Sequence, residues 1–128
     1  MKNSYNSTML IGKAVKHSWT KGIAKKACFE TIFCNERELV WNNITDLTKI
    51  TSEKNAYIRT DITDGIVQIS WRENPKTTNY GLIWTLDFNK HKIYGVIVNA
   101  LPNENLVVEG NFKVIELPQM KPGVLHCS

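Results

Sequence analysis

Apolar residues in this chain recur at every second position rather than at the 3.6-residue spacing of a helix. From Tyr80 to Phe88, the residues Tyr80, Leu82, Trp84, Leu86 and Phe88 alternate with Gly81, Ile83, Thr85 and Asp87. The pleat of a strand sends the first set to one face and the second to the other. Ile66 to Arg72 and Lys92 to Asn99 read the same way on either side, with Asn89, Lys90 and His91 forming a short hairpin connection. Residues 65–99 therefore read as three consecutive antiparallel strands.

The rest of the chain extends that sheet. Met9 to Trp19 predicts a first strand, turned by Thr20-Lys21-Gly22 into a second from Ile23 to Cys34, and Asn35-Glu36 turns again into Arg37 to Asn42. Residues 43–54 are the least readable, compatible with a short strand around Asp46 to Thr51 or with one turn of helix. Ala56 to Ile62 follows, and Thr63-Asp64-Gly65 is a hairpin signal leading into Ile66. Pro75 and Pro102 mark two loops, Leu106 to Leu117 is the last long strand, and Pro118 and Pro122 end the regular structure. Eight or nine short strands without an amphipathic helix or a fixed-period repeat predict an all-β protein. A meander of hairpins favours an up-and-down antiparallel barrel, because closing the sheet removes its exposed edges. A barrel of about eight strands is just wide enough for one small ligand. The expected organisation is a disordered, Asn- and Ser-rich leader over residues 1–8, one barrel domain over 9–117, and an extended tail over 118–128.

With 128 residues the chain is long enough for a single core that needs no metal or disulfide. A net charge of +4, from 16 basic and 12 acidic residues scattered in short pairs, describes a solvated, mildly basic surface. Neither a basic groove nor a glycine-rich phosphate loop points to nucleic acid. The first nineteen residues lack the apolar core of a signal peptide or membrane span. Cys28, Cys34 and Cys127 leave at least one thiol unpaired, and Cys28 and Cys34, six residues apart on one strand, lie roughly 20 Å from each other. A reducing, cytoplasmic setting is the expectation. A homodimer through the long final strand is one arrangement the chain allows.

Two segments, TDGIVQISWRE from Thr63 to Glu73 and LDFNKHKIYGVI from Leu86 to Ile97, resemble the central strands of the lipocalin-like (calycin) barrels of the MoaF-like and phenolic acid decarboxylase families. There an S-W-x-E strand end precedes an L-D-F hairpin and a G-V/I-I strand. The resemblance implies a barrel with a central cavity open at one end, used on small and often aromatic molecules without a cofactor. It places Glu73 on the motif's catalytic Glu and His17 and Trp19 on the decarboxylases' pair of tyrosines, with Lys49 the nearest counterpart of their Arg.

The residues themselves support part of that set. Glu73 stands where a strand meets a loop. Facing a barrel interior, its carboxyl would be desolvated, its pKa would rise, and it would serve as general acid or base; facing outward it pairs with Arg72 or Lys76. His17 and Trp19 share a strand face, which makes His17 a candidate proton carrier. Trp19, Trp41, Tyr80 and Trp84, with Lys49, are the candidate ligand-orienting residues, while Trp71 reads as ordinary core. Isolated histidines and the absence of C-x-x-C or H-x-H spacing indicate no metal site. The first expectation is a cofactor-free lyase, isomerase or cyclase acting on a small, aromatic or partly apolar molecule. A non-catalytic carrier, sensor or accessory subunit is the second, and a side-chain-filled interaction barrel is the third.

Overall fold

A computed structural model of the chain describes residues 10–22, 24–117 and 123–127. The proposed leader, and Met9, Ile23, Pro118 and Pro122, lie outside the described residues. The eight strands are β1 (Lys13–Lys21), β2 (Cys28–Phe33), β3 (Glu38–Asn43), β4 (Thr51–Thr63), β5 (Ile66–Arg72), β6 (Gly81–Asp87), β7 (Lys92–Val98) and β8 (Leu106–Glu116). Each pairs antiparallel with the next, and β8 returns to pair with β1, so the sheet closes into an up-and-down barrel. Among the described residues there is no helix.

Three boundaries differ from the sequence expectation for local reasons. The β1–β2 connection runs to Ala27, because Gly22 and Lys26 both adopt positive φ and the Trp19 N–H donates to the Ala27 carbonyl. Strand β1 starts at Lys13, after a turn at the positive-φ Gly12. Residues 43–54 resolve into a turn followed by the beginning of β4, a strand of 13 residues. Its first half shows no apolar alternation because its inward-facing residues are Thr51, Glu53 and Asn55, which pair across to Asn43, Trp41 and Leu39 of β3.

The β6 alternation holds: Leu82, Trp84, Leu86 and Phe88 are buried in the core, and Ile83, Thr85 and Asp87 are partly exposed. One half of the interior is packed solid by Val15, Phe33, Leu39, Val67, Ile69, Leu86 and Ile93. Leu10 joins them as Gly12 N–H bonds to the Phe33 carbonyl.

On the outside, residues 123–127 lie against β3. The side chain of Asn42, fully buried, donates to the Leu125 carbonyl at 3.0 Å and accepts from its N–H at 2.9 Å. Two residues on, Cys127 is joined to Cys34 by a disulfide. Cys28 remains free. The spacing argument excluded only a Cys28–Cys34 bridge and overlooked this one, which joins residues 93 apart in sequence. Cysteine usage therefore gives no support to a reducing compartment.

Barrel closure rests on the β1–β8 seam, where Gly110 faces Trp19 at a bulge. A Cβ at Gly110 would stand 2.0 Å from the Ser18 carbonyl oxygen and 3.0 Å from the Trp19 Cα, both backbone atoms that cannot yield separately. At Gly95 the nearest atoms are side-chain ends, Val108 Cγ2 and the Trp19 ring. Gly110→Ala is therefore expected to cost about 3 kcal/mol in a urea unfolding titration, and Gly95→Ala clearly less. Equal losses would mean that the seam is not the tight point.

Candidate functional site

The unfilled half of the barrel is a cavity of about 260 Å³. Its walls include Trp19, Phe29, Trp41, Trp71, Tyr80 and Trp84, one or more from each of β1, β2, β3, β5 and β6 or the residue preceding it. His17, Thr31, Asn43, Thr51, Glu73 and Thr78 supply its polar lining. Six of the seven candidate residues thus meet in one place: Glu73, His17, Trp19, Trp41, Tyr80 and Trp84. Lys49 does not. It is exposed in the turn before β4, where Asp46 accepts from the Thr48 N–H and hydroxyl and the Lys49 N–H bonds to the Asp46 carbonyl. That turn holds the lysine on the surface and away from the cavity lining. A larger depression on the outer surface, bordered by Ile58, Ser70, Arg72 and Ile83, carries none of the candidate residues.

Glu73 extends the β5 pattern by one pleat. Being two residues from Trp71, it shares that residue's inward face. Its N–H donates to the Tyr80 carbonyl, which continues the β5–β6 pairing past Arg72. The Trp71 indole N–H donates to one carboxyl oxygen at 3.3 Å and the Thr78 hydroxyl to the other. Burial pushes the Glu73 carboxyl above its ordinary value; the Thr78 and Trp71 hydrogen bonds oppose that rise, and the neighbouring Glu53 charge adds to it.

Glu53 has the opposite fate. Burial pushes it up, but hydrogen bonds from the Asn55 side chain (2.7 Å), the Asn74 N–H (2.6 Å) and the Thr77 hydroxyl (2.7 Å) outweigh that effect and hold it below the usual range. It therefore anchors the loop after β5, while Asn55 also accepts from the Trp41 indole at 2.9 Å. Two neighbouring carboxyls are thus driven apart in pKa, the environment that separates acid from base roles.

His17 is 2% exposed and sits among rings: stacked 5.2 Å from Phe29 and edge-on, at 4.6 Å, to both Trp19 and Trp84. Burial lowers its pKa to about 3. At neutral pH the ring is uncharged, so it is a hydrogen-bonding group and not the proton carrier the sequence suggested. Neither of its nitrogens has a hydrogen-bond partner among the described residues, and the same holds for Thr31 Oγ1 and Trp84 Nε1. Buried polar atoms are ordinarily paired, and leaving one unpaired costs about 1–3 kcal/mol. The four atoms belong to three residues that line one cavity. Among the described residues no group of three His, Cys, Asp or Glu side chains is placed to hold a metal.

Sequence reasoning missed Trp71, Phe29, Thr31 and Thr78. Trp71 was recoverable: at two residues from Glu73 it must share the carboxyl's face, so any reading that put one in the cavity put the other there too. Thr78 comes from a loop, where no periodicity applies.

The fold and its half-empty interior define a closed antiparallel barrel suited to holding a small molecule. No family model matches the chain, and none of the curated proteins matches it. Among solved structures it is similar to a "putative beta-lactamase" from Burkholderia vietnamiensis, at 10% identity with a TM-score of 0.67, over 83% of this chain and 95% of that one. At that identity the likeness shows the barrel fold alone.

The two shifted groups act in opposite directions on stability. His17 is neutral when folded and titrates at 6.5 when unfolded, so its contribution is complete above pH 6.5 and is lost as pH falls toward 3, by on the order of 4 kcal/mol. His17→Phe is expected to flatten the acid limb of a Tm-against-pH profile. Glu73 binds its proton more tightly when folded, so its contribution is present at low pH and declines as pH rises from 4.5 through its raised value. Glu73→Gln should remove that decline. Profiles unchanged in slope by these substitutions would contradict the burial assigned to the two groups.

Proposed function

We propose that this protein binds a small, partly apolar, aromatic-type molecule inside a lipocalin-like barrel and carries out a cofactor-free acid/base step on it, with Glu73 as proton donor or acceptor. The observation that carries this reading is the placement of Glu73: a buried carboxyl of raised pKa on the wall of a cavity otherwise built from aromatic rings. A general acid or base works best when its pKa approaches the working pH, and burial moves this carboxyl in that direction. The cavity is smaller than the roughly 300–1,000 Å³ of drug-sized pockets, which restricts the occupant to one or two rings. The reaction class is a lyase, isomerase or cyclase step, in which a proton is moved and no group outside the chain is required.

A carrier or sensor is the second reading. Glu73 is held from both sides by Trp71 and Thr78, as a fixed polar anchor would be. The two readings part at Glu73→Gln, which keeps the shape and removes the proton. With a panel of one- and two-ring aromatic compounds, followed by tryptophan fluorescence for binding and NMR for conversion, an enzyme should lose about 100-fold or more in turnover while affinity moves by about threefold or less. A change in affinity with no turnover in the wild-type protein supports the carrier.

A further inference from the structure

Glu73 is bonded by a loop, and the loop is bonded by a second carboxylate. Residues 73–80 connect β5 to β6 and carry Thr78, whose hydroxyl donates to Glu73 Oε1. Near the end of the loop Asn79 is tied to the barrel twice: its side-chain oxygen accepts from the Arg72 guanidinium at 2.9 Å and its carbonyl from the Asn99 amide at 2.9 Å. At the other end, among the described residues, every hydrogen bond from residues 74–77 to a strand ends on Glu53 of β4. The Asn74 N–H donates to Glu53 Oε2 at 2.6 Å and the Thr77 hydroxyl to Oε1 at 2.7 Å. Thr77 has one hydroxyl proton and a second acceptor in range, the Asn74 carbonyl at 2.9 Å, but the ionised oxygen makes the stronger bond. Asn55 donates to Glu53 Oε2 and accepts from the Trp41 indole, which fixes the acceptor itself.

We infer that Glu53 is a positioning residue for the proton step: by holding Asn74 and Thr77 it keeps the loop where Thr78 donates to Glu73. This rests on the reading of Glu73 as the group that gives or takes the proton. Glu53 itself does not line the cavity, and its hydrogen bonds keep it ionised. Its charge and its hold on the loop act on Glu73 in opposite senses. The charge raises the Glu73 pKa, the Thr78 hydrogen bond lowers it, and the hydrogen bond is the larger effect. The other titratable groups nearby lack this link. His17 and Tyr80 line the same cavity, Tyr80 bonding Glu73 only through its backbone carbonyl, while Arg72 is exposed and bonded to Asn79, and Lys76 is exposed in the loop. Thr78 in place favours the carboxylate, the form that accepts a proton; Thr78 released favours the acid, the form that donates one.

The test is a mutant cycle that needs no ligand. The Glu73 carboxyl carbon, identified as the signal that Glu73→Gln removes, is titrated by NMR in the full chain. Thr78→Val in the otherwise wild-type protein should raise the pH at which Glu73 titrates by about one unit, a tenfold change in its acid constant. In a Glu53→Ala background the same Thr78→Val change should move it by less than about 0.3 unit, because the bond it removes is already lost. The difference between backgrounds is what counts, so water admitted by a loosened loop does not enter it. Thr77→Val provides a second background whether or not Glu53→Ala folds. It cuts one of the two bonds to the loop and leaves the Glu53 charge in place, and should abolish at least about half of the Thr78 effect. A Thr78→Val effect of equal size in all three backgrounds, or none in the wild-type protein, overturns the inference. An intact cycle in a protein that converts none of the aromatic panel overturns the catalytic reading alone, and leaves Glu53 positioning a binding anchor.

Discussion

Closure at the β1–β8 seam is the constraint on which the rest depends. An open eight-stranded meander would leave β1 and β8 as unpaired edges and would have no inside. Closure requires Ser18 and Trp19 to approach β8 so nearly that the facing residue has no side chain, and Gly110 meets that requirement. The same approach carries the Trp19 ring over Gly95, where the missing Cβ again makes room. The interior aromatic wall is thus a product of two glycines on neighbouring strands. Its volume is set by how far the packing of Val15, Phe33, Leu39 and their neighbours extends up the barrel before the large rings take over.

Within that enclosure polar groups are distributed unevenly. On the β4 side, Glu53 and Asn55 are saturated: they hold the loop after β5 and the Trp41 indole. On the opposite side His17, Thr31 and Trp84 have nothing to bond to among the described residues. A fold under selection for stability alone would place apolar groups there at little volumetric cost, since valine matches threonine in shape and phenylalanine fills a histidine's place between rings. Three polar side chains without a partner among the described residues thus stand close together, at a cost in stability.

Much of this was legible in the sequence because a barrel with one wet face writes its inside and outside alternately. Tyr80 to Phe88 is the clearest case, and Glu73, His17, Trp19, Trp41, Tyr80 and Trp84 converge as strand parity requires. Lys49 failed because its placement came from a resemblance across residues 43–54, where polar inward positions erase the alternation. The polar start of β4 was unreadable for the same reason: periodicity reports burial of apolar side chains, and Thr51, Glu53 and Asn55 are inward without being apolar. The neutrality of His17 and the Cys34–Cys127 bridge depend on what surrounds a residue in space, which neither spacing nor composition encodes.

That bridge also alters how the molecule would respond to being pulled. Tension applied at the two chain ends passes through the sulfurs and bypasses the 92 residues between them, so β3 to β8 carry no load. The shear falls on the β1–β2 arm, which must peel from β8 on one side and β3 on the other before anything else can extend. With the bridge reduced, the same tension would reach every strand in turn. The redox state of one cysteine pair thus selects between a chain that yields by a short, fixed length and one that can unravel through the whole barrel.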